Sequence, residues 1–118
     1  MLTVHIETIG DMTVIACEGR LVRSEAAFRL RDAVMSQDNA QTVVLDFTDV
    51  DAIEAGGLGM LAALQIWAQD HEIQLKLFNP RYFVKKRLES HDPARFDIAT
   101  FDEMMTLLAR AEGYRKAA

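Results

Sequence analysis

The run Thr42-Val43-Val44-Leu45-Asp46-Phe47 constrains this chain more than any other segment. It is short, almost continuously apolar and rich in β-branched residues, the pattern of a strand covered on both faces. Such a strand belongs in the middle of a sheet, and the segments around it supply the rest of one. Leu2 to Thr8 alternates apolar with polar residues, Gly10-Asp11 carries turn chemistry, and Met12 to Glu18 is again β-rich, so the chain opens as a hairpin. Ser24 stands before Glu25-Ala26-Ala27-Phe28 as an N-cap candidate with an acid in the first turn. Leu30, Ala33 and Val34 continue that helical stripe to near Gln37.

Beyond the central strand, a loop is expected between Asp49 and Gly59, closing on Gly56-Gly57, and then an apolar helix from Leu58 to Ala68. Ile73 to Leu77 alternates as a strand, and Asn79-Pro80 turns the chain into a helix from Arg81 to Glu89. His91-Asp92-Pro93 breaks that helix, and Phe96 to Thr100 suits a short edge strand. Thr100 or Asp102 caps a last helix through Ala109, with Tyr114 to Ala118 as a frayed tail. The expected fold is α/β: a mixed sheet of four to five strands, an N-terminal hairpin followed by alternating strands and helices, packed by about four helices with right-handed crossovers. A single domain is expected over residues 1–112, with 113–118 as a C-terminal tail.

Composition limits the functions open to this fold. The 118 residues suit one core, and 50% hydrophobic with 26% charged is an ordinary globular balance. A net charge of -5 leaves no basic surplus to neutralise phosphates, which argues against nucleic acid as a partner. Cys17 is the single cysteine, so an intramolecular disulfide and the usual Cys/His zinc spacings are both excluded, and a reducing cytoplasm fits. Met1 to Ile6 has neither a basic n-region nor an apolar h-region, and the longest apolar run falls short of a membrane span. The expectation is a cytoplasmic chain without direct membrane insertion.

Few residues offer chemistry. His5, His71 and His91 lie on different elements, none at helical spacing from a second ligand, so no metal is expected. Asp46 in Val43-Val44-Leu45-Asp46 is similar to the phosphoacceptor of a receiver domain, but the acidic pair that would hold magnesium is missing from the opening hairpin. Asp46 reads instead as a residue bonding to the turn that follows. Gly56-Gly57-Leu58-Gly59 precedes a helix without the lysine of a phosphate loop or a spaced dinucleotide fingerprint. Ser24, Ser36, Ser90 and Cys17 lack an activating context. No cofactor and no catalysis are expected.

The stretch Val43-Val44-Leu45-Asp46-Phe47-Thr48-Asp49-Val50-Asp51-Ala52-Ile53-Glu54-Ala55-Gly56-Gly57-Leu58-Gly59 resembles the signature of STAS domains, where a hydrophobic strand leads to an Asp-Ser-Ser/Thr-Gly-Leu-Gly turn and a helix. The opening hairpin with Gly19-x-Leu21, the Asn79-Pro80 turn and the closing helix with Phe101 and Leu107 follow the same order, so the resemblance covers nearly the whole chain. It implies an anti-sigma factor antagonist, a module whose unphosphorylated form binds a partner kinase that is also the anti-sigma factor. In such members the first serine of the motif is phosphorylated. Here the motif aspartate falls on Glu54, the serine on Ala55, the next Ser/Thr on Gly56 and the glycine on Gly57, while a further aspartate that often follows Gly-x-Leu falls on Val22.

Phosphorylation switches a surface by placing nearly two charges on it, and alanine cannot receive them. The resemblance with this departure implies a binding module lacking the usual phosphoserine switch. Glu54 as a partial mimic of the phosphorylated state is the lesser reading. On a helical wheel Met60, Leu61, Leu64, Trp67 and Ala68 form the core face, while Ile66 projects nearly opposite and Leu58 and Ala62 flank Gln65 and Gln69. The expected partner-binding surface is therefore Glu54, Ala55, Gly56, Gly57, Leu58, Ala62 and Ile66. Its partner would be an anti-sigma factor of the GHKL kinase type or, through the same resemblance, the ATPase of an ABC-type lipid transporter of which this chain is the cytoplasmic STAS subunit. A phosphoryl acceptor using Asp46 is a third reading, and phosphorylation elsewhere, as at Thr48, stays open.

Overall fold

The structure, a computed structural model, describes residues 2–22, 25–91 and 96–117, with the side chains of Ala26 and of residues 114–117 outside the description. The expected Ser24 cap and the Asp92-Pro93 break lie outside the described residues. Strands β1 (Leu2–Ile9) and β2 (Met12–Leu21) form the antiparallel hairpin, paired from Leu2 opposite Gly19 to Ile9 opposite Met12. The two-residue loop needs a left-handed residue, and Gly10 provides it at φ 58°. Helix α1 (Glu25–Met35) carries the chain across to β3 (Thr42–Ile53), parallel to β2. Helix α2 (Ala55–Asp70), β4 (Gln74–Phe78), α3 (Tyr82–His91), β5 (Ile98–Ala99) and α4 (Phe101–Ala117) follow.

The sheet order is β1-β2-β3-β4-β5, which puts β3 at the centre. Its alternate side chains enter two cores, as a strand pleat requires. Val43, Leu45 and Phe47 join Leu30 and Val34 of α1, Leu61 and Leu64 of α2, and Val84 and Leu88 of α3 in the larger cluster. Val44 faces the other way, into a smaller cluster with Ile9, Met12 and the α4 residues Met104, Leu107 and Ala111. The fully buried side chains of Val43, Val44 and Leu45 are thus those of a strand covered on both faces.

Two expectations of element boundaries are corrected. The strand does not end at Phe47 but runs on to Ile53, because β2 stays paired with it to Leu21 through two register shifts, each inserting one extra residue in β3. The expected loop before α2 therefore shrinks to Glu54, and Gly56-Gly57 lie inside the first helical turn. The last helix continues past Ala109 to Ala117, so residues 113–117 carry on its backbone instead of forming a tail. Ala111 is buried against the sheet, and Arg110, Glu112, Arg115 and Lys116 are residues a helix accommodates readily. Its start is fixed by a capping box: the Glu103 N–H donates to Thr100 Oγ1 at 3.1 Å and the Thr100 N–H to Glu103 Oε1 at 3.4 Å.

Candidate functional site

The N-terminus of α2 is held against the end of β2 by backbone groups. The Glu54 N–H donates to the Leu21 carbonyl at 3.1 Å, and the Leu58 N–H donates to the Glu54 carbonyl at 2.9 Å to begin the helix. Glu54 is the N-cap in extended conformation, yet its side chain makes no capping bond. Its carboxylate instead accepts from the Arg20 guanidinium at 3.1 Å, an exposed pair worth a few tenths to about 1 kcal/mol. Gly57 is buried against Leu21 so closely that a Cβ there would overlap the Leu21 carbonyl oxygen. A glycine at this point lets the first turn approach the strand.

Of the residues expected to form a partner-binding surface, the structure brings Glu54, Ala55 and Ile66 to the exterior, with Gly56 half-buried. Gly57, Leu58 and Ala62 are buried, so the expectation that Leu58 and Ala62 border an outer face is corrected. The outer stripe passes instead through Ala55, Gly59, Ala63 and Ile66, at the three- and four-residue spacing of one helix face, with Ile66 51% exposed. Met60 and Trp67, assigned to the core face, are half-buried at its edge.

Sequence reasoning missed the other wall of this surface. Helix α1 packs beside α2, and between them runs a groove of about 350 Å3 lined by Phe28, Arg31, Gly56, Gly59, Met60 and Ala63. Phe28 is 39% exposed, and the Arg31 guanidinium sits 5.1 Å from the centre of its ring. Phe28 at the exposed edge of an otherwise regular helical stripe was the available signal.

A polar cluster lies on the same stretch of chain, where β3 passes Asn79 and Arg81. Thr48 donates its backbone N–H and its hydroxyl to Asp46 Oδ1, at 3.0 and 2.6 Å. Its hydroxyl in turn accepts from Asn79 Nδ2 at 3.1 Å, with Asn79 in the left-handed region at φ 54°. The Arg81 guanidinium donates to the Thr48 carbonyl at 3.0 Å, forms a short bond to Asp51 and lies 3.9 Å from Asp49. The cluster ties the β4–α3 turn to β3, and both bonding roles of the Thr48 hydroxyl are taken.

Other reactive groups are quiet. The Cys17 thiol is buried, and burial first and the Asp46 carboxylate second push its pKa from 9.0 up to about 12, so almost no thiolate is present at neutral pH. His71 closes α2, stacked on Trp67 at 4.4 Å, and His91 packs against Phe96 at 6.0 Å. No described helix is long and apolar enough to cross a membrane.

The sequence from residue 3 to residue 110 matches the family model of the STAS domain. No curated protein matches the chain. Among solved structures, a putative anti-sigma factor antagonist from Thermotoga maritima has a TM-score of 0.76 at 19% identity, covering 90% of this chain and 94% of its own. The unphosphorylated form of the Bacillus anti-sigma factor antagonist SpoIIAA has a TM-score of 0.72 at 17% identity, covering 91% and 96%. A murine Solute Carrier 26 family anion transporter has a TM-score of 0.68 at 16% identity over 87% of this chain. This chain spans 18% of that transporter and 20% of a protein described as Mglu. At these identities the likeness concerns the fold. The sequence match spans the hairpin-led sheet and the helices packed on it, and on that ground the chain belongs to the STAS domain family.

Proposed function

We propose that this STAS domain is a non-catalytic protein-binding module of the anti-sigma factor antagonist kind, working without a serine switch. The observation that carries the reading is Ala55, exposed as the first residue of α2, where the motif's phosphorylated serine would stand. A methyl group offers no oxygen to a kinase, so the charge that would repel a docked partner cannot be installed there. Glu54 beside it supplies only one carboxylate, and that one is paired with Arg20. The surface offered to a partner is Ala55, Gly56, Gly59, Ala63 and Ile66, extended by Phe28 across the groove. Small residues along the stripe let a partner come close to the helix backbone, and Ile66 and Phe28 give it apolar area to bury. The partner is an anti-sigma factor of the GHKL kinase type, and the setting is the cytoplasm.

A second reading, the cytoplasmic STAS subunit of an ABC-type lipid transporter, draws support from the same alanine, since bracing an ATPase needs no switch. The occurrence of the fold within a membrane transporter favours keeping it. One experiment tests both. The wild-type chain and Ile66→Asp are used as baits in the native cell, and the captured proteins are identified by mass spectrometry. A GHKL-type kinase lost from the variant supports the first reading, and a membrane-associated ATPase lost from it supports the second. If Ile66→Asp keeps its partner with an unchanged circular dichroism spectrum, the docking surface is wrong. A phosphate found on Thr48 or near the loop after incubation with the captured kinase and ATP refutes the missing switch.

A further inference from the structure

Helix α3 carries a second surface that the α2 reading does not use. Arg81, Lys85, Lys86 and Arg87 gather four of the chain's 13 basic side chains into seven residues, in a protein whose net charge is -5. Arg81 is spent on Asp51, Asp49 and Thr48. Among the described residues, Lys85, Lys86 and Arg87 enter no ion pair. Beside them stand Tyr82 and Phe83, 67% and 79% exposed and in edge-to-face contact at 5.3 Å; among the described large hydrophobic side chains Phe83 is the most exposed. Val84 and Leu88 are the buried side of the helix. Counting 100° per residue, Lys86, Tyr82, Ser90, Phe83 and Glu89 lie within about 60° of the direction opposite, with Arg87 and Lys85 at its two edges. Glu89 is thus the one acid on that side, at the edge away from Phe83 and Arg87.

This arc overlooks a groove of about 410 Å3 between α3 and the end of β3, floored by Ala52, Ile53 and Val84 and edged by Phe83, Lys86 and Arg87. The carboxylate on the β3 side, Asp51, is already neutralised by Arg81. Phe83 and two cations without ion-pair partners among the described residues, Lys86 and Arg87, edge this apolar hollow, and Lys86 also lies 5.5 Å from the centre of the Tyr82 ring. A surface of this kind suits a cover that is acidic and partly apolar. The charge decides the shape of that occupant. A flat anionic surface such as a lipid bilayer would meet the field of the whole acidic molecule. A narrow segment lying in the groove meets mainly the local cations, because charges beyond a Debye length of about 8 Å are screened.

We propose that the α3 groove binds an acidic segment of a partner protein, a bulky apolar side chain of that segment filling the hollow beside Phe83 while flanking carboxylates pair with Lys86 and Arg87. This site is separate from the α2 stripe, and its test stands whether or not that stripe binds a partner. A random peptide library displayed on phage is panned against the full chain. The expected winners carry a bulky apolar residue flanked by Asp or Glu. As synthetic peptides they shift the amide resonances of Ala52, Ile53, Phe83 and Arg87. Their affinity falls at least about tenfold in Lys86→Glu/Arg87→Glu and in Phe83→Ser, exposed changes that leave the fold in place, and is unchanged in Ile66→Asp. Winners without acidic residues, shifts confined to α2, or no enrichment at all would overturn the proposal. So would loss of peptide binding to the wild-type chain combined with cosedimentation on phosphatidylglycerol vesicles, which would make the patch a membrane contact.

Discussion

Replacing Gly57 by alanine sets two known effects against each other at one position. In an open helix the change is favourable by about 1 kcal/mol, because alanine loses less backbone freedom on folding. Here the added Cβ would fall inside the Leu21 carbonyl oxygen, 3.0 Å from the carbonyl carbon and 3.1 Å from Leu21 Cγ. Two of these three are backbone atoms, which cannot rotate aside, so α2 must lift from β2. Overpacking of this kind costs about 1–3 kcal/mol. The same carbonyl accepts the Glu54 N–H, and stretching that bond costs about 1 kcal/mol more. The net expectation for Gly57→Ala is a loss of about 1–3 kcal/mol, a fall in Tm of roughly 4–12 °C for a domain of this size. Gly59, two residues on, is the internal control. A Cβ there meets nothing within 4 Å, so Gly59→Ala should raise Tm by a few degrees, the gain of about 1 kcal/mol undiminished. Thermal melts followed by circular dichroism separate the two. Equal shifts in the two variants, or a rise in Gly57→Ala, would refute the claim that close approach to Leu21 sets the start of α2.

Two further outcomes follow from the fold. Thr100→Ala removes one half of the capping box of α4 and should cost about 1 kcal/mol in urea denaturation, with the midpoint shifted and the slope unchanged. For Cys17, the folded thiol stays protonated up to about pH 12 while the unfolded one ionises from about 9.0. Its contribution to stability is therefore intact below 9.0 and declines as pH rises between those values, by up to about 1.4 kcal/mol per unit. That part of the alkaline slope should vanish in Cys17→Ala, and native protein at neutral pH should resist iodoacetamide that labels it readily in denaturant.

Much of the fold was legible because its central strand announces itself: Val43, Val44 and Leu45 are apolar in succession, with no alternation to give one face to solvent, so both sides had to be covered. The next stretch was not legible, for a geometric reason. Phe47, Val50 and Ile53 are the buried side chains of the second half of β3, and their spacing is three, not two. Two bulges absorb the extra residues, and the pairing with β2 that imposes them is invisible in a local pattern. The start of α2 was hidden likewise, since Gly56-Gly57 reads as a turn until the approach of Leu21 is known. On α2, Ile66 is exposed as the helical wheel expects, but Leu58 and Ala62 are buried and their neighbours Gly59 and Ala63 are the exposed ones. In a helix apolar on most sides, and with alanine at both 62 and 63, hydrophobicity alone does not say which side meets the sheet. The groove walls from α1 and α3 depend on tertiary neighbours and had no local trace beyond an exposed Phe28 and the basic run of α3.

The strand order has a consequence for how the chain acquires its shape. Each strand bonds to the one made just before it, so a chain emerging from the ribosome can add every new strand to a growing edge without waiting for a distant segment. The exception is the far side of the sheet, where Ile9, Met12 and Val44 stay bare until α4 arrives with Met104, Leu107 and Ala111. A nascent chain halted before residue 101 would hold an almost finished sheet with one greasy side open. Such a species is what a chaperone would capture and what ribosome stalling would turn into aggregate.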